Sequence, residues 1–116
     1  MRHRKTWFVS LTVLVVVGSI IGGNEYYQRL RFAQRTACVG NLVQINLEKI
    51  FYADEHGLTN GSVIARELIL PGLGYTPRCR MGGSYSFNAI GAVPTCSYTG
   101  TLRWKGFTWR HSLDRP

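Results

Sequence analysis

A nearly continuous apolar run occupies the N-terminal part of the chain, from Trp7 to Gly23, and it contains no charged residue. At about 1.5 Å of rise per residue, a helix of this length covers roughly 26 Å, close to the thickness of a thin hydrocarbon core. Trp7 at one end and Tyr26 and Tyr27 beyond the other are residue types common at membrane interfaces. The pattern predicts a transmembrane segment over residues 7–23, with these membrane-facing positions: Trp7, Leu11, Leu14, Val17 and Ile21.

Basic residues precede this run, in a short tail of residues 1–6. Positive charge marks the cytoplasmic side of a membrane span, so the tail is predicted to be cytoplasmic and the rest of the chain to lie in the periplasm or outside. The localisation that follows is a single-pass protein of a bacterial inner membrane. Two alternatives remain open: a cleaved signal peptide, for which Val17-Gly18-Ser19 is a partial cleavage match, and a buried helix of a soluble protein.

A second helical pattern follows, over residues 24–56, without a proline and with Gly40 as its one glycine after Gly23. Apolar residues recur at intervals of three and four, and polar residues such as Glu48 and Glu55 lie opposite them. We expect an amphipathic spine helix, continuous with the membrane segment and ending near Gly57. Its predicted core positions are Leu42, Val43, Ile45, Ile50 and Tyr52.

Residues 57–100 have the pattern of a small head. Ser62 is a candidate cap for a short helix from Val63 to Leu70, which Pro71 would end. Residues alternate from Ser84 to Ile90, with Tyr85 and Phe87 on one face, and a second short strand is predicted over residues 95–99. An isolated hairpin is unstable in water, so its apolar face is expected to pack on the spine helix. The predicted fold class is α+β.

Charge and length narrow the function classes. The chain has 116 residues and a formal net charge of +8, with the basic excess concentrated beside the apolar run and in the last 16 residues. Once the membrane segment is set aside, too little chain remains for a large enzyme fold. Because the charge forms no single long basic block, membrane topology explains it better than nucleic-acid binding, and nucleic acid is not expected as a partner.

The basic aromatic tail, residues 101–116, interleaves cationic and aromatic side chains. Three interpretations are open: an additional strand covering the head, a surface that contacts the membrane or a protein partner, and a single-strand nucleic-acid site. The possible interaction surface consists of Trp104, Lys105, Phe107, Trp109 and Arg110.

The three cysteines, Cys38, Cys79 and Cys96, offer a disulfide. Cys79 and Cys96 flank the predicted hairpin with 16 residues between them, and a bridge there would stabilise the head by roughly 3 kcal/mol. A pairing that involves Cys38 and a fully reduced set are the alternatives. Zinc is not expected, because neither Cys79 nor Cys96 has a second ligand nearby in sequence, and calcium lacks carboxylates. No metal or cofactor is therefore predicted.

Catalytic chemistry has little support. His56 lies near Asp54 and Glu55, but all three belong to one helical turn and cannot converge on a nucleophile without other groups. No serine lies in a Gly-x-Ser-x-Gly elbow. We expect no catalytic residue, no enzyme activity and no small-molecule substrate.

Two spaced motifs resemble those of a known family. The first is Cys38-Val-Gly-Asn-Leu-Val-Gln-Ile45, and the second is Cys79-Arg-Met-Gly-Gly-Ser-Tyr85 followed by Gly91-Ala-Val-Pro-Thr-Cys-Ser97. With a membrane helix, an amphipathic stalk and a β-hairpin head, they resemble type IV pilins and type II secretion pseudopilins, and most of all small pilin-like proteins of planctomycete and verrucomicrobial type. The resemblance covers residues 35–100.

The resemblance implies a non-enzymatic cell-envelope protein that contacts membrane lipid and protein partners, among them like subunits of a pilus or secretion pseudopilus. The usual prepilin cleavage motif is lacking, because no glycine precedes Trp7 and Phe8 and no acidic residue occurs before Glu25. Two other functions are open: an isolated membrane-anchored binding module that uses the basic aromatic tail, and a small domain secreted after signal-peptide cleavage.

Overall fold

The computed structural model describes the backbone of residues 2–113 and the side chains of residues 7–113. It contains two helices and two small antiparallel hairpins, so the α+β class is confirmed. The elements are α1 Arg2–His56, α2 Arg66–Leu73, β1 Tyr85–Ser86, β2 Thr95–Cys96, β3 Leu102–Trp104 and β4 Phe107–Trp109. The chain divides after Arg31 into two compact units, which are described separately.

The first unit is the N-terminal part of helix α1. Its large apolar side chains are exposed, from 78% at Trp7 to 44% at Leu30. The hydroxyls of Thr12 and Ser19 donate to the carbonyls of Phe8 and Val15, each at 2.8 Å, so these polar groups are satisfied within the helix. Among the described residues, one helix is long and apolar enough to cross a membrane. The predicted tail of residues 1–6 lies outside the described side chains.

The second unit begins at Phe32 and has a small core built on the C-terminal half of α1. Three α1 residues, Cys38, Leu42 and Ile45, are almost completely buried. They pack with Ile69 of α2 and with residues around the first hairpin, and Tyr52 lies partly buried at the edge. The core residues from beyond α1 are Ile64, Ile69, Cys79, Tyr85, Phe87 and Ile90.

Two of the predicted core positions are corrected by the structure. Val43 is 40% exposed and Ile50 is 54% exposed. The buried stripe of α1 is narrower than the apolar stripe in the sequence, and its central position after Ile45 is taken by Lys49, which is 2% exposed. Val43 and Ile50 lie to one side of this line, on a face that remains exposed among the described residues.

Lys49 can be buried because backbone carbonyls, in place of water, accept the hydrogen bonds of its ammonium group. Its Nζ donates to the oxygens of Phe87, Ala89 and Ala92, at 2.5, 2.9 and 2.7 Å. Burial lowers the pKa of the Lys49 ammonium, while the three acceptors compensate it with hydrogen bonds. The side chain thereby connects α1 to the segment between β1 and β2.

The short helix lies three residues later than predicted, and Ser62 does not cap it. Helix α2 begins after Ala65, without a side-chain cap, and contains Pro71 in its last turn. Ser62 instead belongs to the loop before the helix, where its N–H donates to the Thr59 carbonyl at 3.1 Å and its carbonyl accepts from the N–H of Ile90 at 2.9 Å. Gly74 ends the helix in a left-handed conformation, with φ of 70°.

The predicted strands are shorter in the structure. Tyr85 pairs with Cys96 and Ser86 with Thr95, and the N–H of Ser97 donates one further hydrogen bond to the Ser84 carbonyl at 2.9 Å. Tyr85 and Phe87 are buried as the alternation predicted. Asn88 has a φ of 57° and donates from Nδ2 to the Val93 carbonyl at 2.8 Å. The backbone therefore turns at Asn88, within the run of alternating residues that predicted a strand as far as Ile90.

The described part of the basic aromatic tail forms a second hairpin. Strands β3 and β4 pair from Leu102 with Trp109 to Trp104 with Phe107. Lys105 and Gly106 form the two-residue turn with φ of 49° and 80°, the conformation of a type I′ turn. Among the three interpretations of this tail, the structure therefore agrees with additional strands.

This second hairpin packs against the start of the second unit. The Phe32 ring lies 5.2 Å from the Trp104 ring and 5.5 Å from the Trp109 ring. Arg35 lies over Trp109 at 4.8 Å and donates from Nε to the Arg110 carbonyl at 2.9 Å. These contacts fix β3 and β4 on helix α1.

Candidate functional site

A cluster of three thiols and one imidazole lies inside the second unit. Each member comes from a different segment: Cys38 from α1, Cys79 from the loop before β1, Cys96 from β2, and His111 from the chain after β4. We call this set the cysteine–histidine cluster. Cys38, Cys79 and His111 are buried and Cys96 is half-buried. The fold thus brings together residues spread over most of the second unit.

The potential donor atoms of the cluster are close to one another. The three sulfur atoms and one histidine ring nitrogen all lie within 4.8 Å. The Sγ of Cys79 stands 4.0 Å from Nδ1 of His111. All three cysteines are free thiols. Thiolates and imidazole are the usual ligand types of zinc in proteins.

The loop around Cys79 directs backbone donors at its sulfur. The N–H of Gly82 closes a turn onto the Cys79 carbonyl at 3.1 Å, and Gly82 has a φ of 85°. This turn aims the N–H groups of Met81 and Gly83 at the Cys79 sulfur. Burial alone would raise the pKa of the Cys79 thiol, but these donors, together with Cys38 and Cys96, lower it. The loop favours a thiolate at this position.

Close approach at Gly83 completes this side of the cluster. A methyl group added at Gly83 would lie 2.7 Å from the Cys96 sulfur and 2.9 Å from the Tyr98 backbone nitrogen. The position therefore needs glycine so that the Cys79 loop can lie directly on β2. The Tyr98 N–H in turn donates to Cys96, whose pKa is nonetheless raised by burial.

Cys38 occupies the most enclosed corner of the cluster. Burial raises its pKa to about 12, although the Tyr85 hydroxyl beside it favours the thiolate. The Tyr85 hydroxyl also accepts a hydrogen bond from Asn41 Nδ2 at 3.1 Å, and the Asn41 side-chain oxygen accepts from Tyr75 at 2.9 Å. A polar network therefore holds the phenol against Cys38.

His111 packs against Tyr98. Its ring lies 4.5 Å from the Tyr98 ring at an angle of 60°. A cavity of about 360 Å³ opens next to Cys96, Tyr98 and His111 and has polar and apolar walls. The cluster can be reached from solvent through this cavity, while Cys38 lies behind it.

The expected disulfide between Cys79 and Cys96 is not formed in the structure. The two residues do lie close together, as the pairing requires, but Cys38 and His111 also lie within 4.8 Å of them. The expectation that no metal site is present rested on spacing along the chain, since no two of these residues are near in sequence. The folded chain brings these four residues together, so their separation in sequence is no argument against a metal site. A sequence signal did exist in the two glycines after Cys79, which allow a turn around a sulfur.

The residues of the predicted interaction surface are not members of this cluster. Trp104 and Trp109 are half-buried against Phe32, so they are largely packing residues. Lys105 and Phe107 are exposed at the turn of the second hairpin, and Arg110 is exposed beside the cavity. The possible interaction surface is therefore reduced to the hairpin turn and its neighbours.

Comparison of the chain with known protein families, with curated proteins and with solved structures finds no match. What can be concluded about function rests on the chain's own residues and geometry.

Proposed function

We propose that the protein is a non-enzymatic, single-pass, pilin-like or pseudopilin-like protein of the bacterial cell envelope, which acts through protein–protein contact. The observation that carries the proposal is helix α1, which joins an exposed apolar stretch to the stripe on which a small α+β head is packed. The two motifs that resemble pilin-like proteins contribute Cys38, Cys79 and Cys96 and the buried Leu42, Ile45 and Tyr85.

The first half of the proposal is membrane anchoring by residues 7–23. These side chains are apolar and exposed, and water is a poor solvent for so large an apolar surface. The hydroxyls of Thr12 and Ser19 make hydrogen bonds within the helix, so insertion into lipid leaves neither group unsatisfied. In this arrangement the N-terminus is cytoplasmic and the head is in the periplasm or outside.

The second half is contact between like subunits along α1. Val43, Leu47 and Ile50 follow one another at intervals of four and three, and they are 40%, 42% and 54% exposed. Phe51 extends this surface and is 64% exposed. We call these four residues the uncovered face. The head packs on a different side of the helix, so a neighbouring helix of the same kind has free access to it.

Membrane anchoring is tested on the full chain expressed with a C-terminal tag. We expect the chain to stay in the membrane fraction after alkaline carbonate extraction, to dissolve in detergent, and to keep Met1 or a cut near Thr6. Protease added outside the inner membrane should digest the head. A mature chain that begins after Ser19 and is soluble without detergent would establish the secreted alternative instead.

Subunit contact is tested by placing a photo-activated cross-linking amino acid at Ile50, with Glu67 as the matched position. Both residues are exposed, but Ile50 belongs to the uncovered face of α1, whereas Glu67 lies on α2. We expect a cross-linked product with the mass of two chains, or of this chain and another pilin-like subunit, from Ile50 alone. Equal cross-linking from both positions, or none from Ile50, would contradict the proposal.

The isolated binding module is a second candidate because the second hairpin presents an exposed aromatic at its turn. Phe107 is 66% exposed, next to the cationic Lys105. Substitution of Phe107 and Lys105 by serine should leave Ile50 cross-linking intact in a pilin-like protein. If instead the double substitution abolishes partner capture and Ile50 never cross-links, the binding module is the better description.

A further inference from the structure

We propose that the cysteine–histidine cluster is a structural zinc site, in which Cys38, Cys79, Cys96 and His111 bind one Zn²⁺ through three thiolates and one imidazole. The inference is independent of membrane placement and of the pilin-like function, because it concerns only how the second unit is held together.

The ligand set is chemically suited to zinc. Three cysteines and one histidine form one of the common tetrahedral structural sites, and soft sulfur ligands select zinc over calcium or magnesium. One cation at the centre would bind all four side chains together.

The distances fit this coordination. Ligands at about 2.1–2.3 Å from a tetrahedral ion stand roughly 3.6–3.8 Å from each other. All four donor atoms lie within 4.8 Å of one another, and Cys79 Sγ is already 4.0 Å from His111 Nδ1. Contraction by about 1 Å or less at each atom therefore closes the site, which is within the reach of side-chain rotation.

Backbone donors and one positive charge lie around the sulfur atoms of the cluster. Backbone N–H groups of Met81 and Gly83 point at Cys79, and that of Tyr98 points at Cys96. Three thiolates and Zn²⁺ carry a net charge of −1, and the Arg35 guanidinium is close enough to Cys38 to interact with it electrostatically. Such supporting donors and charges orient ligands and tune a metal centre.

Four protein ligands leave no coordination position for substrate or water, so the site is structural and not catalytic. Its members come from α1, the Cys79 loop, β2 and the segment after β4. A bound zinc ion would therefore connect both hairpins to helix α1. In a unit with so small a core, metal binding contributes directly to the free energy of folding.

The competing state is a disulfide between Cys79 and Cys96, which an oxidising compartment favours. The two states are exclusive, since a bridged sulfur no longer provides a thiolate. They also differ in the role of His111, which is a ligand in the first and a bystander in the second.

The test uses the full chain purified in detergent without added metal or reductant. Metal analysis should find one zinc per chain, and thiol-specific alkylation should modify the three cysteines only after a chelator is added. Replacement of zinc by Co²⁺ should give the visible absorption of a tetrahedral cobalt site and a thiolate-to-cobalt charge-transfer band. Removal of zinc should lower the melting temperature of the second unit.

Two variants separate a ligand from a merely buried residue. His111→Cys retains a metal ligand and should keep the zinc and the tetrahedral cobalt spectrum with shifted bands, whereas His111→Ala should lose at least tenfold in zinc affinity. His56→Ala is the matched control, because His56 is an exposed histidine outside the cluster. It should bind zinc as the unaltered chain does.

The proposal is overturned if the purified chain contains a Cys79–Cys96 disulfide and no zinc. It is also overturned if the reduced chain, supplied with Zn²⁺ or Co²⁺, binds neither, or binds cobalt without thiolate charge transfer. Equal zinc affinity in His111→Ala and His56→Ala would exclude His111 as a ligand. Failure of these tests would leave membrane anchoring and Ile50 cross-linking unaffected.

Discussion

The buried ammonium of Lys49 donates a hydrogen bond to the backbone carbonyl of Phe87, 38 positions further along the chain. The same nitrogen reaches the carbonyls of Ala89 and Ala92, so one side chain of α1 satisfies three backbone acceptors between β1 and β2. Hydrogen bonds from a charged donor are about twice as strong as neutral ones. Lys49 therefore stabilises the folded head, although lysine is usually found on protein surfaces.

Substitution Lys49→Met tests this role. Methionine fills a similar volume but leaves three buried carbonyls without their donor, so we expect a loss of about 2–4 kcal/mol in the free energy of unfolding. Denaturant titration followed by circular dichroism measures it. Arg103→Met, at an exposed position of β3, should change stability by less than about 0.5 kcal/mol. Similar losses in both variants would show that Lys49 has no special role.

Substitution Gly83→Ala tests the contact between the Cys79 loop and β2. The added methyl would lie 2.7 Å from the Cys96 sulfur, so the loop must move away from the cluster. We expect a less stable head and roughly 10–100-fold weaker zinc binding, measured by competition with a chromogenic chelator. Gly40→Ala is the matched control, since no atom lies within 4 Å of its added methyl. It should stabilise helix α1 by up to about 1 kcal/mol.

Substitution Phe32→Ala tests how the second hairpin is attached. Phe32 contacts both Trp104 and Trp109. Loss of these two contacts should lower the free energy of unfolding by about 1–3 kcal/mol and expose both indoles to water. A red shift in tryptophan emission, recorded in a Trp7→Phe background, reports the exposure. Phe51→Ala should leave the emission unchanged, because Phe51 is 64% exposed on the uncovered face. An unshifted spectrum in Phe32→Ala would mean that the hairpin is held by other contacts.

Substitution Val15→Arg tests the predicted membrane segment. An arginine near the centre of a membrane helix costs about 2.5–3.5 kcal/mol of insertion free energy, so a smaller share of the chain should resist carbonate extraction. Gln44→Arg places the same charge on an exposed position of α1 in the second unit and should not alter the membrane fraction. Equal retention of the two variants would argue against a span at residues 7–23.

Local patterns predicted the parts of the fold that local forces determine. The uncharged run and the three-to-four spacing predicted the long helix, and alternation predicted burial of Tyr85 and Phe87. The set of core residues predicted on α1 was too large. Periodicity shows which residues of a helix are apolar, but it does not show how much of the helix surface a small head can cover. Val43 and Ile50 were assigned to the core for that reason, and Lys49 was overlooked because its acceptors are distant backbone atoms.

The cysteine–histidine cluster was beyond sequence reasoning for a related cause. Its residues are isolated along the chain, and their meeting depends on the packing of both hairpins against α1. The proximity of Cys79 and Cys96 was the part that could be predicted from a single hairpin, although the disulfide expected between them is not formed. The contributions of Cys38 and His111 appear only when all four segments are folded together.

The distribution of the cluster also imposes an order on folding. Cys38 is synthesised 73 positions before His111, so its thiol remains without the last member of the set until both hairpins have been made. Contacts of such large sequence separation form slowly. During that interval Cys38, Cys79 and Cys96 are open to oxidation, and the fate of the head depends on whether the C-terminal segment closes over them before an oxidant reaches them.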